Sequence, residues 1–156
     1  MQRTTEDDLL KLIRILRKDA RKSLTVLSKE TGIPVSTVYE KLKQQAPMYV
    51  QKYTCLLDFH AMGYRTRAWF LLKVRKDSKQ RFEEEVKGNE HINTLIRVSG
   101  QYDYVLEGVF TGMQEIEKFV DEMEKLHGLK SVLPLFTLEE ITREGFFKEP
   151  VHHEQI

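Results

Sequence analysis

The sequence predicts an α+β protein built from two modules, and three observations lead to this fold class. Apolar residues recur at helical spacing through residues 1–45, whereas residues 66–140 twice repeat the order strand, helix, strand. The net charge of +1 is divided unevenly along the chain. Residues 1–60 hold 11 Lys or Arg against 7 Asp or Glu, and residues 61–156 hold 14 against 17. A basic front and an acidic back suit two modules with different partners.

The composition favours a globular protein of the cytoplasm. Of the 156 residues, 40% are hydrophobic and 31% are charged. No apolar run approaches the roughly 18 to 20 residues that span a membrane, and the opening MQRTTEDDLL is acidic where a secretory signal would be basic. Cys55 is the only cysteine, which excludes an internal disulfide and a multi-cysteine zinc site. We therefore expect no membrane partner, no metal site and no cofactor.

Three helices are predicted in the front module. The first begins near Thr5. Its apolar face comprises Leu9, Leu12, Ile13 and Leu16. The second runs through LTVLSKET and ends at Gly32, because glycine readily adopts the left-handed conformation that follows a helix. The third begins near Pro34, and two helices joined by a short glycine-containing turn form the helix-turn-helix pattern.

The third helix offers a polar surface that DNA would accept. In GIPVSTVYEKLK, helical spacing turns Val35, Val38 and Leu42 inward. The outward and flanking side chains are the candidate DNA contacts, namely Ser36, Thr37, Tyr39, Glu40, Lys41, Lys43 and Gln44. Hydroxyl, amide and amino groups donate to phosphates or base edges. Glu40 repels phosphate unless it accepts a hydrogen bond from a cytosine amino group.

The alternative for this surface is an ordinary solvated helix face, since polar helical hairpins also occur in proteins that never bind DNA. The third helix contains no arginine, and the basic excess of the front module is small. We therefore expect modest DNA affinity from one copy and a requirement for two or more copies acting together.

After the third helix, the apolar spacing becomes nearly alternating. The stretch PMYVQKYTCLLDF opens with proline and is rich in Tyr, Val, Thr and Leu. This pattern predicts a hairpin wing followed by a strand, which would complete a winged helix-turn-helix.

The back module is predicted to be a ferredoxin-like βαββαβ sandwich. Its first unit comprises the strand RAWFLLKVRK, the helix SKQRFEEEVKGN and the strand HINTLIRVSG. Its second unit comprises YDYVLEGVF, TGMQEIEKFVDEMEKLHG and LKSVLPLFTLEE. Thr111 is the predicted N-cap of the second helix, which Gly128 ends. Two such units place both helices on one face of a four-stranded sheet.

The other face of this sheet must also be covered. Its strands have apolar residues on both faces, among them Trp69, Leu71 and Val74. The simplest cover is a second copy of the same sheet, and the homodimer would supply two third helices. The predicted domains are residues 1–52 for DNA binding, 53–64 as a linker, 65–144 for ligand binding and oligomerisation, and 145–156 as a tail.

The turn SGQYDY between the middle strands has two interpretations. Glycine followed by polar residues and aspartate is ordinary hairpin chemistry. Alternatively, Gly100 lets backbone amides approach a ligand while Asp103 receives a cation such as an amino group. The sequence alone leaves both interpretations open.

The order of these modules resembles the Lrp/AsnC family, the feast-or-famine regulators, from the front module to about Glu144. The matching stretches are GIPVSTVYEKLK, YTCLLDFHAMGY, VSGQYDYVLEG and LFTLEEI. The resemblance implies a transcription factor for double-stranded DNA whose sheet domains pair into dimers, often then octamers, with an amino-acid effector bound between dimers. It places Ser36 to Lys43 on the recognition helix. The implied effector loop consists of Ser99, Gly100, Gln101, Tyr102 and Asp103.

Two features depart from the pattern of that family. Family members usually open the recognition helix with Ser then Pro, whereas this chain has Pro34 then Val35, so the capping hydroxyl is missing. In the closing strand, Leu133, Pro134 and Leu135 stand where Ser or Thr often faces the effector. Proline removes one ladder hydrogen bond, which predicts an edge strand or a bulge there.

Two other functions remain open from the residues. Some haem-pathway decarboxylases resemble the same scaffold, but His60, His91 and His127 lie on different predicted elements and no catalytic motif is present. An architectural protein whose octamers coat DNA would show little sequence preference.

The tail EGFFKEPVHHEQI extends past the family's usual end. Its Phe146 and Phe147 could dock on the domain or on a neighbour. His152 and His153 are adjacent and without other ligands nearby, which fits a loose end better than a metal site.

Overall fold

The computed structural model describes residues 2–126 and 128–147, and its chain divides into two compact units. The first unit runs from the amino terminus to Cys55 and takes in the chain from Ile141 onward. The second unit is Leu56–Glu140. Three histidines considered above lie outside the described residues, namely His127, His152 and His153.

Three α-helices belong to the first unit, as the sequence predicts. They are α1 (Gln2–Lys18), α2 (Leu24–Thr31) and α3 (Val35–Glu40). The predicted start of α1 near Thr5 is wrong, since the helix already begins at Gln2 and no glycine or proline interrupts it there. α3 continues directly into a π-helical turn, Lys41–Gln45, and a 3₁₀ turn, Ala46–Met48.

Local sequence signals define the turn between α2 and α3. The hydroxyl of Ser23 accepts a hydrogen bond from the Val26 N–H at 3.3 Å, and Gly32 ends α2 with a φ of 73°. The helices enclose one core cluster of Leu12, Leu27, Ile33 and Val38. A second cluster consists of Leu9, Ile13 and Ala46. The helix-turn-helix is thus held by apolar contacts from all three helices.

The predicted hairpin and strand after the third helix are not formed in the described chain. Residues 51–58 belong to no helix or strand. The side chains of Tyr53 and Leu56 are 59% and 57% exposed. A strand needs a neighbouring strand to bond its N–H and C=O groups, and the four-strand sheet of this chain is complete without this segment.

The second unit has the predicted ferredoxin-like topology. Its strands are β1 (Thr66–Val74), β2 (Ile92–Arg97), β3 (Tyr104–Phe110) and β4 (Leu129–Phe136). Its helices are α4 (Lys79–Val86) and α5 (Met113–Glu124). The sheet order is β2-β3-β1-β4, and all three pairings are antiparallel. The strand with Pro134 is therefore an edge strand, as the missing N–H predicts.

The core of the second unit lies between this sheet and its two helices. Alternate residues of β1 are buried, namely Ala68, Phe70, Leu72 and Val74. They contact Phe82 and Val86 of α4 and Ile116, Phe119 and Met123 of α5 within one cluster. Trp69 and Leu71 point to the opposite face, because successive strand residues alternate in direction.

The start of α5 differs from the sequence prediction. Gly112 occupies the cap position, and Thr111 lies one residue before it. The backbone N–H and the hydroxyl of Thr111 both donate to Glu115 Oε2, at 2.6 and 3.0 Å. A helix-borne carboxylate thus replaces the predicted hydroxyl cap. Across the described ranges, no helix combines the length and the apolarity that crossing a membrane requires.

Candidate DNA-binding and effector-binding sites

The candidate DNA-binding surface is the recognition helix, which we define as α3 with its π-helical continuation, Val35–Gln45. Pro34 precedes it in the cap position and forms no side-chain cap. The missing hydroxyl noted in the sequence is therefore a structural feature of this helix. The short turn that begins at Gly32 and the buried side chain of Val38 position the helix against the core instead.

Most of the predicted DNA contacts do lie on an exposed surface. The exposed residues are Ser36, Tyr39, Glu40, Lys43 and Gln44, and Thr37 is half-buried. Val35, expected to face inward, is 43% exposed. Lys43 Nζ lies 5.6 Å from the centroid of the Tyr39 ring, which places a cation over an aromatic face one helical turn away. The surface therefore offers hydroxyls in its N-terminal and central parts, and an amine and an amide near its C-terminal end.

Lys41 does not belong to this surface, because it is only 5% exposed. It follows Val38 by three residues and precedes Leu42, so helical spacing alone places it beside the buried stripe. A lysine stem readily lines apolar surface. The charge of Lys41 suggested exposure, whereas its position in the helical period correctly indicated burial.

The candidate effector loop is a tight hairpin between β2 and β3. The Val98 N–H donates to the Asp103 carbonyl at 2.9 Å and closes it. Gly100 has a φ of 117°, a backbone angle that residues with a Cβ rarely adopt. Ser99, Gly100 and Gln101 are exposed, and an added Cβ on Gly100 would meet no atom within 4 Å. The loop thus leaves open space beside its backbone.

Asp103 is held by residues of its own unit. Its Oδ1 lies 2.6 Å from Lys79 Nζ, and its Oδ2 accepts from the Val74 N–H at 3.0 Å and lies 3.4 Å from Lys73 Nζ. The Lys79 hydrogen bond, then the Val74 N–H, lowers the pKa of Asp103 to about 2. The side chain is 13% exposed. Cations of the protein itself already occupy the position expected for a ligand amino group.

The two lysines that bind Asp103 were missed from the sequence. Lys79 is the first residue of α4, where the positive end of the helix dipole disfavours a cation. That placement was the available signal for a nearby acid. No short-range pattern links Lys73 to Asp103, because the two meet only through the β1–β3 pairing.

The sheet face without helices, here called the open face, is largely apolar. One row across the strands contains Thr94, Glu107, Trp69 and Leu135, and the next contains Ile96, Val105, Leu71 and Leu133. Ile96, Leu133 and Leu135 are 50%, 42% and 45% exposed. This arrangement confirms that the strands carry apolar side chains on both faces.

Glu107 is the one acidic residue in these two rows, and it is only 4% exposed. Its Oε1 lies 3.0 Å from Arg67 Nε, and its Oε2 accepts from Asn93 Nδ2 at 2.5 Å and from Thr94 Oγ1 at 2.9 Å. Arg67 Nη2 also lies 2.5 Å from Glu140 Oε2. The charge is thus neutralised within the sheet, so this face can be covered without leaving Glu107 unpaired.

A groove of about 510 Å³ lies beside the start of α5 and was not predicted. It is lined by His91, Lys118, Glu122 and the turn from Thr111 to Glu115, among others. His91 stacks on Phe110 with centroids 5.1 Å apart, and its Nε2 is 3.9 Å from Glu115 Oε1. The backbone hydrogen bond from Thr111 lowers the pKa of Glu115. Glu115 and His91 therefore already have partners within the protein.

The hydrogen bonds that Asp103 accepts from Lys79 and the Val74 N–H predict a specific acid sensitivity. A carboxyl whose pKa is lowered in the folded state stabilises it above the unfolded value, near 3.8, and loses that effect as pH falls towards 2. We expect Asp103→Asn to reduce the free energy of unfolding by about 1–2 kcal/mol at pH 7 and by much less near pH 2. Urea unfolding across this pH range measures the difference.

The matched control is Asp77→Asn, because the Asp77 side chain is 77% exposed. We expect only a small change from it at either pH. An Asp103→Asn chain as stable as the wild type at pH 7 would contradict the role assigned to the Asp103–Lys79 contact.

Comparison with known sequences identifies the second unit. Residues 67–145, half of the chain, match the Lrp/AsnC ligand binding domain family. An uncharacterised HTH-type transcriptional regulator of Pyrococcus furiosus is 26% identical over 146 residues, covering 92% of this chain and 98% of that protein. The HTH-type transcriptional regulator FL11 of Pyrococcus abyssi is 26% identical over 129 residues, covering 82% and 85%.

Solved structures share the fold over both units. The transcriptional regulator NMB0573 of Neisseria meningitidis, determined as a complex with L-Met, matches with a TM-score of 0.84 at 25% identity, covering 94% of this chain and 96% of that one. LrpC of Bacillus subtilis matches with a TM-score of 0.79 at 20% identity, covering 86% and 95%. The α+β fold class, with an N-terminal helix-turn-helix followed by a ferredoxin-like domain, is thus confirmed, and the chain belongs to the Lrp/AsnC family.

Proposed function

We propose that this protein is a sequence-specific, DNA-binding transcriptional regulator that acts as a homodimer or a larger assembly and responds to an amino acid. The observation that carries the proposal is the recognition helix, which presents a polar, exposed surface on a helix-turn-helix in a chain of the Lrp/AsnC family. Its relatives are named as transcriptional regulators, so the proposal assigns no catalytic activity.

DNA contact would be made by the exposed side chains of the recognition helix. Ser36 and Thr37 lie in its first turn, which is the part that reaches base edges when such a helix enters the major groove. Lys43 and Gln44 lie in the π-helical turn, where their donors suit phosphate oxygens. Tyr39 holds the Lys43 amine by its ring and limits its rotamers.

Assembly would cover the open face with a second copy of the sheet. The apolar residues there are partly exposed in a single chain, whereas Glu107 already has a charge partner in Arg67 at 3.0 Å. A two-fold interface pairs the same patch on both subunits, so one self-complementary apolar surface is sufficient. The exposed segment 51–58 would gain a neighbouring chain in the same assembly.

The effector would bind at the loop of Ser99, Gly100, Gln101, Tyr102 and Asp103. The exposed backbone at Gly100 suits the carboxylate of an amino acid, because nothing within 4 Å fills the space where a side chain would stand. Asp103 would shape the loop through Lys79 and not bind the ligand amine directly. The L-Met complex of the Neisseria relative makes L-methionine the first ligand to test.

Removing the Lys43 amine should weaken DNA binding without altering sequence preference. We expect Lys43→Ala to lower affinity about tenfold near 0.1 M salt and to reduce the salt slope by about one, as one lost phosphate contact predicts. Fluorescence anisotropy with the promoter of the protein's own gene measures both. Lys11→Ala is the control, because Lys11 lies exposed on α1.

Equal affinity of the wild type for promoter and random DNA at moderate salt would contradict sequence-specific binding. Footprinting over long fragments separates the remaining alternative, because an architectural coat protects DNA continuously and a regulator protects discrete sites.

A charge on the open face should prevent assembly. We expect Leu133→Glu to weaken self-association at least about a hundredfold, since a dimer would bury two unpaired carboxylates. Size-exclusion chromatography with light scattering gives the mass. Leu138→Glu is the matched control, because Leu138 lies beyond β4 and is 98% exposed. If Leu133→Glu assembles like the wild type, the open face is not the interface.

L-Methionine should stabilise the protein if the effector loop binds it. At a ligand concentration of about 100 times the dissociation constant, we expect about 2.7 kcal/mol of added stability. A thermal-shift series with the twenty amino acids measures this, with D-methionine as the stereochemical control. Gln101→Ala should reduce the shift, because the exposed Gln101 amide lies on the loop. An unchanged melting temperature with all twenty would refute an amino-acid effector.

A further inference from the structure

The segment Ile141–Phe147, here called the strap, belongs to the unit that contains the helix-turn-helix. It follows the sandwich in the sequence, because β4 ends at Phe136 and only residues 137–140 lie between. The sandwich unit is thus bounded at both ends by residues of the DNA-binding unit, at Cys55 and at Ile141.

Charged and aromatic contacts dock the strap on α1. Arg17 Nη2 lies 2.5 Å from Glu144 Oε2, and Arg17 Nε donates to the Phe146 carbonyl at 3.4 Å. The guanidinium carbon of Arg14 lies 4.6 Å from the centroid of the Phe147 ring. Phe147 also packs against the cluster of Leu9, Ile13 and Ala46. The strap therefore contributes to the core of the first unit.

The backbone of the docked strap is not relaxed. Glu144 and Phe147 have φ values of 54° and 64°, a region that residues with a Cβ rarely adopt. The contacts to α1 must hold both residues there. The Arg17 and Glu144 side chains are 35% and 44% exposed, so water competes for their ion pair. The strained backbone and the water-exposed ion pair both favour opening of this contact.

We propose that the strap is a releasable second tether between the sandwich and the DNA-binding unit, and this inference rests on the proposed function. With the strap docked, each DNA-binding unit is joined to its sandwich through two chain connections. With the strap released, one connection remains, through the residues that follow Cys55.

The number of chain connections between the sandwich and the DNA-binding unit matters for a dimer that binds two half-sites. A second recognition helix binds at an effective concentration set by the length and stiffness of the chain that joins it to the first. Release of the strap leaves a single chain connection, which makes the joint less stiff. It therefore weakens binding to paired half-sites while binding to a single half-site stays the same.

Phe147→Ala tests the tether, with Phe146→Ala as the matched control. Both variants remove a phenyl ring from the strap, but Phe146 is 79% exposed and lies outside the core cluster. We expect Phe147→Ala to speed trypsin cleavage after Arg143 severalfold and to lower the ratio of paired-site to single-site affinity about tenfold. Phe146→Ala should change both quantities much less.

A charge exchange separates release from a general loss of stability. Glu144→Arg places two cations together and should act like Phe147→Ala. Adding Arg17→Glu to it restores an ion pair of reversed sign and should recover slow cleavage and the wild-type affinity ratio. If Arg17 and Glu144 act independently, the double variant should not recover slow cleavage or the wild-type affinity ratio.

The outcomes distinguish the two proposals. Faster cleavage with an unchanged affinity ratio, or unchanged cleavage in Phe147→Ala, overturns the tether while leaving DNA binding intact. A wild-type chain that binds neither paired-site DNA nor single-site DNA at low salt overturns the proposed function, and the tether with it.

Discussion

The four-stranded sheet has helices on only one of its faces, and this asymmetry determines how its apolar residues can be buried. The buried face packs Phe70 and its neighbours against α4 and α5. The open face carries Trp69, Leu71 and Leu133, and both helices of this unit pack on the other face. Apolar surface of this extent favours association, because removing it from water stabilises the covered state. The Arg67–Glu107 ion pair is neutral within the sheet and does not oppose such cover.

This asymmetry explains how a modest recognition helix can serve a regulator. The helix lacks arginine, begins without a capping hydroxyl and keeps Lys41 buried, so few cations remain to contact phosphate. In the proposed function, its affinity comes from several copies on one duplex. Sheet pairing would supply those copies, and the same sheet carries the loop around Gly100. In the proposed function, ligand binding and DNA binding therefore affect each other through the assembly and not through one shared surface.

Much of this fold follows from the period of the apolar residues, because periods of 3.6 and 2 distinguish helix from strand without tertiary information. Gly32 and Pro134 marked a helix end and an edge strand for equally local reasons. The missed features depend on long-range contacts. The wing sequence was strand-like but has no neighbouring strand, and Asp103 meets Lys79 only after β1 and β3 pair. The docking of Phe147 on α1 likewise joins opposite ends of the chain.

The mass of the unmodified protein in solution shows whether a second copy covers the open face. If a second copy covers the open face, sedimentation equilibrium over a range of micromolar concentrations should give at least twice the 18.4 kDa of one chain. A single species of 18.4 kDa throughout that range would contradict the account, since one recognition helix of this composition would then have to bind DNA alone.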